Sequence, residues 1–399
     1  MITALLIALL LGILIGILTG LTPGIHINLV AALVLASLAF FLNISSPLAI
    51  VIFIVALSIT HIFIDFIPSI YLGAPDENNA LSVMPGHKLL LEGNGHEAIY
   101  YSILGCLSAV FISILLAPII LLLVPKIYPF IELMMAWILI LGAGLLIYYE
   151  QNSKLWAIII FILSGFLGIA SLNINLNEPL LPLLSGLFGS STLIYSISQK
   201  TKIPQQKLTK IKLNKKEFIK PLIATSLISP ICAFLPGLGS SQAAVLSSQF
   251  TGKNSPNQFL FLVGSVSIIV MTLSFPVLYI LNKSRTGSAA AINEVIKLTK
   301  SDLIYILAAV LISSIISFCL AIKISKIFAK SLPKLNYTLI SIIILTILSL
   351  LVLIISKPLG FLVYLVSTLL GLLAIETQIR RSSLMGCLLI PTILYYLPF

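Results

Sequence analysis

Thr22-Pro23-Gly24-Ile25-His26-Ile27-Asn28 and Leu235-Pro236-Gly237-Leu238-Gly239-Ser240-Ser241 are the two stretches on which the reading of this chain turns. Each interrupts an otherwise apolar run. Proline lacks a backbone N–H and disfavours helix in the residue before it, and the glycine that follows tolerates a positive φ, so each Pro-Gly is expected to end one helix and start another. A helix that starts afresh presents unpaired N–H groups and the positive end of its dipole, which together hold an anion. Small polar residues follow both breaks: Asn28 after the first, and Ser240, Ser241 and Gln242 after the second. In a membrane protein, broken helices at corresponding positions of two halves point to a transport site. One Pro-Gly alone reads as a tight turn; the pairing favours the site.

Composition settles the class. Of the 399 residues 59% are hydrophobic and 9% charged, and the mean hydropathy is +1.17. So little polar surface cannot cover a soluble globule, and the chain reads as an all-α polytopic membrane protein. It is apolar almost from Met1, with no Lys or Arg ahead of the first run, so residues 2–21 are expected to belong to the fold and not to a cleaved signal. The formal charge of +11 is concentrated, since eight lysines fall between Lys200 and Lys220 with Glu217 as the only acid. That is the signature of a cytoplasmic loop beside anionic lipid, and it argues against nucleic-acid binding. Cys106, Cys232, Cys319 and Cys387 are isolated in apolar runs, which suggests neither a disulfide framework nor a zinc site.

The apolar runs fall at 2–21, 25–42, 47–67, 97–124, 130–149, 154–171 and 179–198, and again at 221–235, 238–251, 258–281, 301–328, 336–355, 357–375 and 380–398. Seven segments thus stand on each side of the basic loop 199–220, giving two repeats, 1–198 and 221–399. The pieces flanking Pro236 are short for a crossing and read as a re-entrant hairpin, whereas the pair at Pro23 is long enough to span. Either way each half crosses an odd number of times, so the two halves face opposite ways: an inverted-topology repeat whose broken helices meet near the midplane. Lysines 323, 326, 330 and 334 and the pair Arg380-Arg381 then join the basic loop on the cytoplasmic side. A further echo is Pro-x-x-Tyr at Pro68–Tyr71 and at Pro276–Tyr279, each followed by a polar connector.

Within this frame a few residues carry chemistry. His61 and Asp65, four apart on one helical face near a helix end, are candidates to bind an ion or relay a proton, with a merely structural hydrogen bond as the competing reading. Two ligands fall short of a zinc site. The connector Gly73–Gly95 contains Asp76 and a third Pro-Gly, Pro85-Gly86, which is expected to open a helix toward an anion with Lys88 as counter-charge, or else to be a solvated loop. The matching connector holds Lys283, Ser284, Arg285 and Thr286, and Arg285 is the better carboxylate clamp because it bonds bidentately.

These residues resemble the large membrane subunit of tripartite tricarboxylate transporters, and within it the archaeal-type relatives. The resemblance rests on Gly16-Ile17-Leu18-Thr19-Gly20-Leu21-Thr22-Pro23-Gly24, on His61, Asp65, Pro68, Gly73-Ala74-Pro75-Asp76 and Pro85-Gly86-His87, on Leu91-Glu92-Gly93-Asn94-Gly95, and on Leu235-Pro236-Gly237-Leu238-Gly239. It spans both halves in order; His26 and Asn28 depart from the bacterial pattern. The resemblance implies a multi-pass cell-membrane permease, not an enzyme, that carries a di- or tricarboxylate-like anion by secondary active transport. It implies no cofactor beyond a coupling proton or sodium ion, and as partners a small membrane subunit and an extracytoplasmic binding protein, with a homo-oligomer left open. The expected substrate contacts are Thr22, Pro23, Gly24, His26, Asn28, Pro236, Gly237, Gly239, Ser240, Ser241 and Arg285, and the ion-coupling candidates are His61, Asp65 and Asp76. Two alternatives stand beside this reading: a translocase of a polyprenyl phosphate or other anionic lipid, which uses similar Pro-Gly hairpins, and an intramembrane hydrolase built on Asp65 and Asp76.

Overall fold

The computed structural model describes residues 2–22, 34, 42–43, 45–73, 80–148, 150, 152–176, 178–198, 203–208, 215–234, 239–252, 254–334 and 336–397. Among these residues nine helices are long and apolar enough to cross a membrane, and no strand is present. Helix α1 (Ile2–Leu21) leads into α2 (Pro47–Ile64) and α3 (Phe66–Leu72), which form one rod with a break at Asp65. A short 3-10 turn and α4 (Val83–Leu91) precede the long α5 (Gly95–Tyr148). Next come α6 (Lys154–Asn173) and α7 (Leu180–Leu184), the latter passing through a π-helical turn, Ser185–Ser190, into α8 (Ser191–Ser198). The second half begins with α9 (Lys215–Phe234), α10 (Ser240–Thr251) and α11 (Pro256–Leu281). It ends with α12 (Gly287–Val295), α13 (Lys300–Ser331), α14 (Tyr337–Glu376) and α15 (Gly386–Tyr396).

Two rods form the centre. Both are apolar all round, and such helices bury themselves whole. The 26 residues Pro47–Leu72 and the 26 residues Pro256–Leu281 are the most deeply buried of the spanning segments. They are built alike. Ser46 and Ser255 each accept a hydrogen bond from the N–H three residues on (Ala49 and Gln258, both 3.3 Å), with proline pre-set for the first turn. Each rod stops at a left-handed residue, Gly73 at φ 64° and Asn282 at φ 50°. A nine-residue helix follows in both cases, α4 or α12. The packing is reciprocal too: α1 lies on α2 as α9 lies on α11, α2 packs against α13 as α11 packs against α5, and α4 touches α11 while α12 touches α2.

Without a hydrophobic drive between helices in lipid, small residues and close backbones hold such bundles together. Gly12, Gly16 and Gly20 line up on α1, and a Cβ on them would lie 2.5 Å from Phe53 O, 2.7 Å from Thr60 Cβ and 2.9 Å from Ile64 Cβ. At the α5–α11 seam the fit is mutual, because a Cβ on Gly105 would run into the Phe261 carbonyl and one on Gly264 into the Ser102 carbonyl.

Three expectations are corrected. The chain does not break between 124 and 130: α5 stays helical through Pro118, Pro125 and Pro129, because neighbouring groups in a bundle re-satisfy the carbonyl each proline leaves open. Pro85-Gly86 is not in a solvated loop: it lies in the first turn of α4, which starts at Val83, and a Cβ on Gly86 would sit 2.5 Å from Ile70 Cγ1, so the glycine serves packing. Lys88 on the opposite face of α4 is exposed. The arm before the second Pro-Gly is also longer than expected, beginning at Lys215 and long enough to span, while α10 after it has 12 residues. The separation of 336–355 from 357–375 matches α14, which turns at Lys357 (φ 61°, ψ −177°) ahead of Pro358. Within the basic loop, residues 203–208 pack on the first half: Gly95 N–H donates to Gln206 Oε1 (2.8 Å), the Gln206 amide donates to Leu90 O (3.0 Å) and Lys207 N–H donates to Gly93 O (2.8 Å).

Candidate functional site

A spanning helix fixes its apolar side chains by packing and leaves few partners for polar ones, so polar side chains on the buried rods find each other or a neighbour's backbone. On the first rod Ser58 meets Ser288 of α12 at 2.6 Å, and Thr60 accepts from Ser317 of α13 at 2.9 Å. His61, 1% exposed, places Nδ1 3.1 Å from Thr19 Oγ1, in the last turn of α1. Asp65, 4% exposed, stands at the break between α2 and α3. Its carboxylate acts electrostatically on the Cys106 thiol of α5, which donates to Gly264 O of the second rod at 3.3 Å. Asp65 thus lies near Cys106, which ties α5 to the second rod, and His61 reaches the lead-in of the first Pro-Gly. Tyr71 and His96 converge on Ser325 of α13: the Tyr71 hydroxyl donates to its carbonyl (3.1 Å), and His96 Nδ1 lies 2.9 Å from its hydroxyl.

Among the residues expected to hold substrate, Pro23, Gly24, His26, Asn28, Pro236 and Gly237 lie outside the described residues, as does Asp76. Thr22 closes α1, and its hydroxyl donates to Leu18 O at 2.7 Å. Gly239 caps α10 in extended conformation, donating its N–H to Gln242 Oε1 at 2.9 Å, so Gln242 completes the helix terminus rather than a ligand shell. Ser240 and Ser241 are buried in the first turn of α10. Arg285 and Lys283 both donate to the Tyr128 hydroxyl at 3.2 Å and lie over its ring. The Tyr128 ring in turn stands edge-on to Phe234, 6.2 Å between centroids. Phe234 is the last residue before Leu235-Pro236, so the structure brings Arg285 to the lead-in of the second Pro-Gly. Among the described residues no three His, Cys, Asp or Glu side chains gather to hold a metal ion.

A second polar centre escaped the sequence reading. Arg380 is exposed, but Arg381 turns inward and is 6% exposed. Its Nη1 donates to Phe188 O (2.8 Å) and Thr192 Oγ1 (2.6 Å), on the π turn and α8. His87 of α4, also buried, lies 3.3 Å from Ser196 Oγ. Burial pulls the His87 imidazole down to about 4, and the nearby Arg381 charge pushes the same way. The available signal was composition: Arg381 is one of only three arginines, set between apolar runs.

Comparison with known proteins supplies the context. Residues 6–386 match the family described as "Tripartite tricarboxylate transporter TctA family". An uncharacterized protein of Methanocaldococcus jannaschii is 32% identical over 359 residues, covering 86% of this chain and 88% of that protein. No solved structure matches the chain.

Proposed function

The chain belongs to the tripartite tricarboxylate transporter TctA family, a family of transporters and not of enzymes, as a multi-pass integral membrane protein, and from that premise we propose that it carries a small carboxylate anion by secondary active transport. In this reading residues 1–198 and 221–399 are inverted repeats joined by the cytoplasmic segment 199–220, and the two Pro-Gly segments approach one substrate from opposite faces. The observation that carries it is the likeness of the two central rods: equal length, the same serine-proline start, the same left-handed stop, the same nine-residue helix after it, and reciprocal packing partners. The substrate is held by helix N-termini at Gly24 and Gly237, with Ser240, Ser241 and Arg285 beside the second. His61 and Asp65 are buried ionisable residues four apart on the first rod, which suits a coupling proton or sodium ion. The name of the family counts three components, so a small membrane subunit and an extracytoplasmic binding protein are the proposed partners.

The test is uptake of radiolabelled citrate, succinate and malate into liposomes containing the purified chain, under separate proton and sodium gradients, with a polyprenyl phosphate flip assay in parallel. Gradient-driven accumulation of a carboxylate is expected. Lipid phosphate translocation without carboxylate uptake would overturn the proposal.

A further inference from the structure

A guanidinium in a protein interior needs several partners, because desolvating it costs several kcal/mol unless its N–H groups and its charge are met. Arg381 is met on one edge only. Nη1 is held by Phe188 O and Thr192 Oγ1, while Nε and Nη2 are buried without any hydrogen-bond partner. Burial alone weighs on its charge, and no acid among the described residues offsets it. The π turn explains the held edge: widening the helix over Ser185–Ser190 frees carbonyls for outside donors, and such turns recur at functional sites. It does not explain the other edge, since a neutral side chain would cap Phe188 O as well.

That other edge has a specific chemistry. Nε and Nη2 form the planar fork that takes both oxygens of a carboxylate at once. Its aim is fixed, because Nη1 is anchored at two points and the short turn Arg381–Met385 is buried. The same turn packs against α10, the helix that follows the second Pro-Gly. The buried His87 of α4 is close enough to feel the Arg381 charge, and the hydroxyl of Ser383, two residues on, and that of Ser367 are buried without partners, the latter on the face of α14 that meets Gly186 of the π turn.

We infer that Arg381 is a carboxylate clamp of this transporter, its Nε/Nη2 edge taking one carboxylate of the carried anion in a bidentate pair beside the second Pro-Gly helix. This rests on the carboxylate-transport reading above and adds to it the residue that distinguishes a planar carboxylate from other anions. A lysine keeps the charge but loses the fork.

Citrate uptake by wild type and Arg381→Lys in liposomes, together with melting temperatures without citrate, tests it. The expected result is at least a tenfold rise in half-saturating citrate in R381K, with an unliganded melting temperature close to wild type. Phenylglyoxal labelling of the wild-type protein makes the test independent of how the variant folds: its three arginines are read separately by mass spectrometry, and citrate is expected to slow modification of Arg381 and not of exposed Arg380. Equal half-saturation in R381K, or Arg381 modified at the same rate with and without citrate, would overturn the clamp while leaving carboxylate transport standing. A wild-type protein that takes up none of citrate, succinate and malate would overturn both.

Discussion

The two central rods share a scaffold and divide the chemistry. Pro47–Leu72 is broken at Asp65 and carries His61; Pro256–Leu281 runs unbroken, and counting from either end the position of Asp65 is taken by Ser274. The division extends to the whole chain: its four histidines (His26, His61, His87 and His96) fall in the first half and its three arginines (Arg285, Arg380 and Arg381) in the second. Imidazoles stand on one side and guanidinium groups on the other. Two rods built alike need not carry like roles: in the proposed function the half with the histidines senses the ion gradient and the half with the arginines grips the anion.

The largest expected effect separates the two rods by their seams. Gly105→Val should yield no monodisperse protein in detergent, because the α5–α11 seam has carbonyls where the new methyl groups would go. Second in size is a pH effect that includes the first connector. His87 stays neutral when folded, down to about 4, whereas an unfolded imidazole takes its proton near 6.5. Stability is then full above about pH 6.5 and falls as the pH drops toward 4, by up to about 3 kcal/mol. Melting temperatures from pH 8 to 4.5 should show this slope, and His87→Gln should make it shallower. In α12 the corresponding place is Ala291, which contributes no such slope.

Asp65→Asn against Ser274→Ala tests the divided roles directly. Gradient-driven uptake should fall at least tenfold in the first, about 1.4 kcal/mol in transport free energy, and stay within about twofold in the second. Equal losses would mean that the rods share the work. The smallest expected effect is at the other seam, where a hydrogen bond takes the place of glycine contact: Thr60→Val leaves the Ser317 hydroxyl without its acceptor and should cost about 0.6–1.5 kcal/mol, read as a modest drop in melting temperature.

Much of this frame is written locally. Apolar runs, the serine-proline starts and the stop at Lys357-Pro358 are properties of a few neighbouring residues, and the helices follow them. What could not be read were effects of neighbours distant in sequence. Pro118, Pro125 and Pro129 look like helix ends until a bundle surrounds them. Pro85-Gly86 looks like a turn until Ile70 is packed on the glycine. Arg381 looks like half of a juxtamembrane pair, because the carbonyl that draws it inward belongs to Phe188, 193 residues away. For the candidate site the outcome follows the same line. His61 and Asp65 were visible as ionisable residues in an apolar run, whereas Thr19, Cys106 and Tyr128 became their surroundings, or those of Arg285, only through tertiary packing.

Helix α5 has a mechanical consequence. Its 54 residues would measure about 81 Å if straight, against a hydrocarbon core of about 30 Å. It bears on α11 through Gly105, and on α10 and α15 as well, so it acts as a beam joining the second central rod to α10 and α15. Each proline deletes one rung of its hydrogen-bond ladder, which concentrates compliance between Pro118 and Pro129. A push on one end of the beam reaches the other only as far as that window is stiff.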